Sequence, residues 1–455
     1  MQRRGGPEDA AGVPRRAEAE AAVFGPPFEL SPRVADRILV PASRLERAVR
    51  ALGRLAAHRP GSAGWRELAR SGGERLGGSP LAGTGGPPVV LLPALAWGYR
   101  FQRPQQLARA LARAGTPVLY CEAFRRTRLL PRAELDCVAP GVWRLQLAVE
   151  GRPDPYRELA APHAAEALAR LVVRGLRERP RFVLAQLPFW GAAARTLSEA
   201  LGVPLVYDRL DLHGGFPGVP PAIVAEEERL LARCDLMTAS SEVLLAGPEA
   251  ATRSDALLPN AVDPEDFPER PRSFEPPVRI GYVGALTSWF DADEVARLAA
   301  ARPAWRLLLA GRVEDARVRA LGRAPNVELV GEIPHREVPA FLGSLHALVV
   351  PFRELPLTRA VDPVKLYEGL AAGLPVVSRR LPALERWPEP FVYRAEDGSL
   401  LAPLERALAE DGPAAARLRR RAGAAETWLA RAHTLLALAE RLRPAQSPRG
   451  DGPSD

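Results

Sequence analysis

Residues 362–378 read DPVKLYEGLAAGLPVVS, and this stretch predicts a helix that leads into a buried strand. Pro363 stands just before the helix, where its missing N–H group costs nothing because the first N–H groups of a helix have no partner within it. Gly373 is typical of a helix end, and Pro375 prevents the helix from continuing. The small residues of GLAAG allow close packing under a strand. A helix that runs into a buried strand is the repeating unit of an α/β domain.

The same alternation of strands and helices extends to both sides of this stretch. One series begins at Val89 and a second at Val278, and residues 251–277 break the rhythm between them. The longer predicted helices span residues 105–114, 164–177, 192–201, 223–233, 292–301, 314–322, 336–344 and 364–372. We therefore predict an α/β fold with two doubly wound, Rossmann-like domains that face a cleft, with ligands at the carboxyl ends of the strands.

These patterns divide the chain into four parts. We predict a first Rossmann-like domain over 88–262, a second over 275–410, and closing helices over 411–445. Residues 1–80 are predicted to be a partly disordered extension with one amphipathic helix at 43–57, because Leu and Val residues share one face there and Arg residues lie off it. That helix either packs on the first domain or docks on an anionic membrane surface.

Composition excludes several classes of protein. The 455 residues are 47% hydrophobic and 25% charged, which is ordinary for a globular chain. Three cysteines without a CxxC pattern argue against a disulfide framework. There is no apolar run of about 20 residues, no signal-peptide pattern and no histidine cluster for a metal. Residues 1–80 hold 14 Arg against 9 acidic residues, so the main body is nearly neutral. We expect a cytoplasmic protein that binds no nucleic acid.

The scarcity of lysine singles out one position. Of 62 basic residues, Lys365 is the one lysine, and Asn occurs at 260 and 326 alone. Lysine is a compact point charge and arginine a planar fork, so a lysine kept in an arginine-rich chain indicates a site that arginine cannot serve. Chance survival is the alternative.

Lys365 and Glu368 are three residues apart, on one face and in the first turns of the predicted helix. A helix N-terminus attracts anions because its N–H groups are free and its dipole end is positive. Lys365 would add a charge for a diphosphate, and Glu368 would accept hydrogen bonds from a sugar diol. The alternative is a surface ion pair of little energetic value.

Several segments, in order, resemble the retaining glycosyltransferases of the two-Rossmann GT-B fold, the class called glycosyl transferases group 1. In the second half they are LPNAVDPEDF (258–267), IGYVGALTSWFD (280–291), LLLAGR (307–312), NVELVGEIPHREVPAFLGSLHALVVPF (326–352) and KLYEGLAAGLPVV (365–377). In the first half, WGYRFQRPQQLARALARAGTPVLYCE (97–122) resembles a branch of bacterial surface-polysaccharide transferases.

The resemblance implies a nucleotide-sugar site in the second domain. It places Glu368 on the nucleotide ribose and Lys365 on the diphosphate. Gly284 would let the backbone approach the donor closely. Leu366 and Asp362 complete the expected donor site.

Two positions depart from the family pattern. Ala360 stands where a first glutamate is often found, so Asp362 or Glu354 is expected to contact the donor sugar instead. The loop LTSWFDADE lacks the Arg and Lys that often follow the first strand of the second domain. Arg312 is therefore expected to stabilise the leaving group together with Lys365.

Other polar residues have weaker signals. Gln102 and Arg103 open the first helix and are candidates for acceptor binding. Asp208 and Asp211 end a predicted strand, where they either orient a sugar or cap the loop. We expect Asp291, in the sequence Asp-Ala-Asp, to cap a helix rather than bind a metal. Residues predicted to be solvated are His213, His335 and the run 417–421.

The sequence thus predicts an enzyme that moves a hexose from a nucleotide diphosphate sugar to a hydroxyl of a saccharide or lipid-linked acceptor, in surface polysaccharide or glycolipid synthesis. The resemblance implies retention at the anomeric carbon, with no metal and no cofactor besides the donor. The location expected is the cytoplasm, peripheral to the inner face of the membrane. Two alternatives stay open: an inactive sugar-nucleotide-binding or scaffold protein, and a nucleotide-sugar epimerase on the same fold.

Overall fold

The computed structural model describes residues 63–79, 81, 86–126, 132–149, 153–246, 253–269, 276–396 and 398–442. All of them belong to one compact unit, residues 57–455. The helix predicted at 43–57 lies outside the described residues.

Eight strands form the first sheet, in the order β3-β4-β2-β1-β5-β6-β7-β8. They are β1 (Val89–Leu92), β2 (Val118–Arg126), β3 (Arg132–Ala139), β4 (Val142–Val149), β5 (Val183–Ala185), β6 (Leu205–Arg209), β7 (Leu236–Ala239) and β8 (Ser254–Leu257). Neighbouring strands are parallel except for β3 and β4. The order of the strands reverses between β1 and β5, and such a switch point is where open α/β sheets bind ligands.

Six parallel strands form the second sheet, in the order β11-β10-β9-β12-β13-β14. They are β9 (Arg279–Val283), β10 (Arg306–Ala310), β11 (Val327–Gly331), β12 (Ala347–Val350), β13 (Val376–Ser378) and β14 (Val392–Arg394). The switch point of this sheet lies between β9 and β12.

Helices connect the strands and cover the sheets. They are α1 (Ala63–Gly77), α2 (Arg103–Arg113), α3 (Pro162–Gly175), α4 (Gly191–Leu201), α5 (Pro221–Arg233), α6 (Glu242–Leu245), α7 (Ala292–Ala301), α8 (Ala316–Leu321), α9 (Val338–Gly343), α10 (Pro356–Arg359), α11 (Val364–Ala371), α12 (Leu401–Ala409), α13 (Pro413–Ala425) and α14 (Trp428–Glu440). Central strands such as β1 and β12 are buried along their whole length. The predicted fold class, two doubly wound α/β domains, is confirmed. No helix in the described ranges is long and apolar enough to span a bilayer.

The sequence pattern does not predict the edge strands of the first sheet. The prediction left the stretch before α3 irregular, whereas β3 and β4 form an antiparallel hairpin there. It also broke the rhythm at residues 251–277, where β8 closes the sheet edge. Most residues of β3 and β8 are partly or fully exposed, so neither strand carries the apolar run that marks a buried strand.

Helix α1 was also missing from the prediction, since Gly72 and Gly73 lower the helix propensity of its sequence. Packing against α3 outweighs that cost. Leu68 and Leu76 are buried, and a Cβ atom at Gly72 would lie 2.2 Å from the Leu171 Cδ1 atom. The glycine therefore lets the two helices approach closely.

The last helix returns to the first domain. Trp428 and Leu435 of α14 pack in one apolar cluster with Leu107 and Leu111 of α2. The chain thus passes from the second domain back to the helix that follows β1. This contact fixes the position of α2, whose first residue is Arg103.

The prediction of a solvated run at 417–421 is wrong at its centre. The Arg419 side chain is 0% exposed and pairs with Asp411 at 2.6 Å. It also donates to the carbonyl oxygens of Pro390 at 2.7 Å and Gly373 at 3.2 Å. Arg419 therefore ties α13 to the end of α11, and a repeating arginine pattern does not reveal which arginine faces inward.

We expect Arg419→Ala to lower the free energy of unfolding by about 3–5 kcal/mol, because it removes a buried charge together with its ion pair to Asp411 and its hydrogen bonds to the Pro390 and Gly373 carbonyls. Arg417→Ala and Arg421→Ala, in the same helix but exposed, should change it by less than about 0.5 kcal/mol. Urea unfolding of the three variants measures the difference. Equal effects at all three positions would contradict the buried role of Arg419.

Candidate functional site

A cleft with a volume of about 850 Å³ opens between the two domains, at the carboxyl ends of their strands. Its first-domain wall comes mainly from loops that follow β1, β4 and β6, and its second-domain wall mainly from loops that follow β9, β10 and β12. β1 and β9 are strands at the switch points of the two sheets, so the cleft lies where doubly wound folds bind ligands.

Lys365 reaches this cleft from the first turn of α11. Burial lowers the pKa of the Lys365 ammonium, while the nearby Glu368 carboxylate raises it. No carboxylate lies within 4 Å of its Nζ atom in the part of the chain that the structure describes. The ammonium is thus a partly desolvated cation with capacity to bind an anion.

Gly284 makes room for this lysine. Its φ is 151°, in a region that glycine favours, and a Cβ atom there would lie 2.9 Å from the Lys365 Cε atom. The predicted close approach at Gly284 is therefore made by a side chain of the protein itself. Whether the donor also approaches this backbone stays a prediction.

Glu368 is one turn further along α11 and is 8% exposed. Burial raises the pKa of its carboxyl, and the charges of Lys365 and His335 oppose that rise. The His335 Nε2 atom lies 4.0 Å from the Glu368 Oε1 atom. The carboxylate therefore stands between two basic side chains.

The expectation that His335 is a solvated loop residue is wrong. Its ring packs 5.2 Å from the ring of Phe101, and its Nε2 atom is 3.5 Å from the Gln106 Nε2 atom. Both partners belong to the first domain. His213, the second histidine expected in solvent, is 2% exposed and lies beside Tyr156.

Asp362 is held at the entrance of α11 by three donors. The Asn260 backbone N–H donates to Oδ2 at 2.6 Å, and the Tyr367 hydroxyl donates at 3.0 Å. The Asn260 side chain also donates to the Asp362 carbonyl at 2.6 Å. Burial nevertheless raises the pKa of Asp362 to about 6. Asp362 borders the cleft, but its carboxylate is already engaged with the segment that links the domains.

Arg103 and Asp208 form a buried ion pair beneath the cleft. Arg103 donates to Asp208 through Nε at 2.9 Å and Nη2 at 2.6 Å, and through Nη1 to Asn260 Oδ1 at 3.2 Å. Asp208 also accepts from Gln186 and Thr238. Both expectations for Asp208, sugar orientation and loop capping, are wrong because it is fully buried. Arg103 also borders the cleft, but much of the bonding capacity of its guanidinium is used in this network. Its contact with an acceptor stays a prediction.

Gln102 and Asp211 do face the cleft. Gln102 is exposed just before α2. Asp211 follows β6, and burial raises the pKa of its carboxyl. Both residues line the cleft, and their contact with an acceptor stays a prediction.

Two predicted site residues, Arg312 and Leu366, do not line the cleft, and neither does Ala360, which stands where the family glutamate is often found. Arg312 is exposed, with its Nε atom 3.4 Å from Glu314 Oε1. Leu366 is fully buried in the core of the second domain, so its side chain faces away from the cleft. Ala360 is buried, and its carbonyl accepts a 2.6 Å hydrogen bond from the Ser241 hydroxyl of the first domain.

The capping role predicted for Asp291 is confirmed. Its side chain accepts from the Glu294 N–H at 3.0 Å, at the start of α7. It also pairs with Arg379 at 2.7 Å. Within the described residues, no group of three or more metal-ligating side chains comes together.

Among the residues of the cleft wall that sequence reasoning missed are Tyr99, Arg100, Phe216 and Trp289. Each follows the carboxyl end of a central strand or stands in the loop after it, and Phe216 and Trp289 meet across the cleft at a ring distance of 6.1 Å. Their position after predicted strands was the available signal.

The raised pKa of Asp362 predicts a pH effect on stability. The native carboxyl titrates near 6 and the unfolded one near 4, so the native state holds the extra proton between these values, and the stability contribution falls as pH rises through them. The free energy of unfolding of the wild type, minus that of Asp362→Asn, should fall by about 2 kcal/mol from pH 4 to pH 6. Urea unfolding at several pH values tests this. A difference that does not change with pH would contradict it.

Comparison with known proteins places the second domain in a family. Residues 277–411 match the family model described as glycosyl transferases group 1. A protein of Bacillus subtilis (strain 168), named as the teichuronic acid biosynthesis glycosyltransferase TuaH, is 27% identical over 208 residues. That alignment covers 42% of this chain and 52% of the relative, so the chain spans about half the length of the relative it matches.

Solved structures share the fold at low sequence identity. The sucrose-phosphate synthase of Thermosynechococcus elongatus has a TM-score of 0.62 at 17% identity, covering 78% of this chain and 99% of that one. Anabaena Alr3699/HepE, solved in complex with UDP and glucose, has a TM-score of 0.54 at 14% identity, covering 78% of this chain and 100% of that one.

The trehalose-phosphate synthase of Burkholderia xenovorans, solved in complex with glucose-6-phosphate, has a TM-score of 0.57 at 15% identity, covering 78% of this chain and 100% of that one. These likenesses concern the fold. Together with the family match, they confirm the resemblance found in the sequence: residues 277–411 belong to the glycosyl transferases group 1 family, and the chain that carries them has the two-domain GT-B fold of glycosyltransferases.

Proposed function

We propose that the chain is a glycosyltransferase of surface polysaccharide or glycolipid synthesis. It would move a hexose from a nucleotide diphosphate sugar to a hydroxyl of a saccharide or lipid-linked acceptor. The observation that carries the proposal is the Lys365 ammonium, which faces the interdomain cleft from the N-terminal turn of α11 without a carboxylate within 4 Å in the described chain. The family of residues 277–411 and the name of the Bacillus relative support it.

The chemistry required is stabilisation of a departing diphosphate. Charge builds up on the phosphate oxygens as the glycosidic bond breaks, and a cation held in a partly desolvated site stabilises that charge strongly. Lys365 and the free N–H groups at the start of α11 supply positive potential there. We carry over retention and metal independence from the resemblance, as part of the proposal.

The donor and the acceptor would occupy opposite ends of the cleft. Glu368 would accept hydrogen bonds from the nucleotide ribose, next to the diphosphate on Lys365. Asp211 and Gln102 would contact the acceptor, beside the exposed ring of Tyr99 and the partly exposed ring of Trp289. Flat apolar rings next to carboxylates suit a sugar, which has both apolar faces and hydroxyl groups.

A second candidate, a binding protein without transferase activity, is motivated by Ala360. Alanine has no carboxylate to offer the donor sugar, and the Ala360 side chain is buried against Ala239 and Leu244. Asp362 borders the cleft nearby and is our candidate for that contact, through the acceptor positions that Asn260 and Tyr367 leave on its carboxylate. Glu354 is exposed and pairs with Arg359, so it is the weaker candidate. A transferase releases nucleoside diphosphate from its donor in the presence of an acceptor, whereas a binding protein does not, so a turnover assay distinguishes the two candidate functions.

A cytoplasmic location with peripheral membrane contact completes the proposal. The extension before α1 would bring the protein to an anionic surface through its arginines. Liposome flotation of the full chain and of the chain lacking residues 1–62, at low and high salt, tests the contact. Removal of residues 1–62 leaves α1 in place, which matters because Leu68 and Leu76 are buried. Equal flotation of the two proteins would remove the extension from the proposal.

Lys365→Met should lower turnover at least about 10-fold, equivalent to about 1.4 kcal/mol in the barrier, because the diphosphate loses its cation. The assay measures nucleoside diphosphate released from UDP-, GDP- and ADP-hexoses with a bacterial cell extract as acceptor source. Arg336→Met is the matched control, since Arg336 is 82% exposed and pairs with its neighbour Glu337. Arg312→Met, at an exposed ion pair, should cost less than Lys365→Met. Unchanged turnover in Lys365→Met would remove its role.

Glu368→Gln should weaken nucleoside diphosphate binding by about 1–3 kcal/mol, the range for a hydrogen bond to a charged group. Titration calorimetry with the diphosphate and its 2′-deoxy analogue shows whether the lost affinity comes from the contact with the ribose. The wild type should prefer the ribose form, and the variant should lose most of that preference. Glu337→Gln, at an exposed site, is the control. A variant that keeps the full preference for ribose would rule out this contact.

A further inference from the structure

The loop after β1 places a second cation in the cleft, opposite Lys365. Arg100 belongs to the first domain and borders the same cleft. Its φ is 43°, in the left-handed region, and no other non-glycine residue of the described chain has a positive φ. Such a backbone is strained and persists where the surroundings hold it, often at binding sites.

Two contacts orient the Arg100 guanidinium. Its Nε atom donates to Glu332 Oε1 of the second domain at 2.8 Å. Its Cζ atom lies 5.0 Å from the centre of the Tyr99 ring. The plane of the guanidinium is therefore set before any ligand arrives, which reduces the entropy that a ligand contact would cost.

These contacts leave donors unused. A guanidinium has five N–H groups, and Glu332 takes the one on Nε. The Nη2 atom is buried and has no hydrogen-bond acceptor among the described residues. A buried charged donor without an acceptor costs free energy, so the site is incomplete as it stands.

Lys365 borders the cleft from the other domain. The positive charge of Arg100 acts on the Lys365 ammonium and, together with burial, lowers the pKa of that lysine. Two cations thus border one cleft from opposite domains, and one of them has an unused donor there. Such an arrangement favours an anionic ligand.

We propose that Arg100 and Lys365 bind the diphosphate of the donor from opposite domains, with Arg100 contributing the Nη groups as a phosphate-contacting fork. This inference rests on the proposed function and assigns the second cation to Arg100 instead of the exposed Arg312. The planar fork matches two phosphate oxygens, while Lys365 acts as a point charge. A diphosphate bound to both residues would also hold the two domains together during transfer.

Titration calorimetry of the full chain with UDP, GDP and ADP, each beside its nucleoside, tests the assignment. For the diphosphate that the wild type binds, Arg100→Gln should reduce the affinity at least 10-fold and leave the affinity for the nucleoside unchanged. Arg100→Gly, which accepts the left-handed φ without strain, should show the same selective loss. Arg336→Gln should bind like the wild type.

Glu332→Gln separates a phosphate contact from a purely structural tie between domains. If Arg100 acts only through its ion pair with Glu332, then Glu332→Gln will lower the affinity for the diphosphate as much as Arg100→Gln does. That result overturns the assignment. Wild-type diphosphate affinity in both Arg100 variants, with loss in Lys365→Met, overturns it as well and leaves the proposed function intact. Failure of the wild type to bind any of the three diphosphates overturns both.

Discussion

The buried polar network where the chain crosses between the domains is the constraint on which the site depends. Arg103 pairs with Asp208 beneath the cleft and reaches Asn260 in the linking segment, and Asn260 in turn binds Asp362 at the start of α11. Buried charges and amides are costly unless each has a partner. The partners come from both domains and the link, so this network specifies where α11 begins relative to the first sheet.

The cleft separates side chains that hold the structure from side chains left for a ligand. Arg103 and Asp208 look functional in sequence, yet their bonding capacity is largely used inside the protein. Lys365 and Arg100 border the cleft and retain donors. What differs is the number of hydrogen-bonding groups that the fold leaves unused. A charged side chain whose donors or acceptors are taken up inside the protein has little left to offer a substrate, whereas an oriented side chain with unused donors can bind one.

Local rules explain what the sequence could predict. The alternation of apolar runs and helical patterns gives both sheets, and the Pro363 and Gly373 signals bound α11 within a residue or two. The rarity of lysine led to Lys365. Burial of Arg419 and His213, by contrast, depends on partners far along the chain, such as the Pro390 carbonyl, so no pattern around them foretells it. The position of Arg312 after β10 predicts a role at the leaving group. Its exposure depends instead on the direction of its side chain and on its ion pair with Glu314.

Hydrogen–deuterium exchange of the full chain with and without a nucleoside diphosphate would test the location of the donor site most directly. UDP, GDP and ADP serve as probes at saturating concentration. If the donor binds on α11 between the domains, the diphosphate that binds will slow exchange of the amides at 364–368 and in the loop after β1, because both would contact or enclose it. Protection elsewhere, with these two segments unchanged, would contradict a donor site built on Lys365 and the first turn of α11.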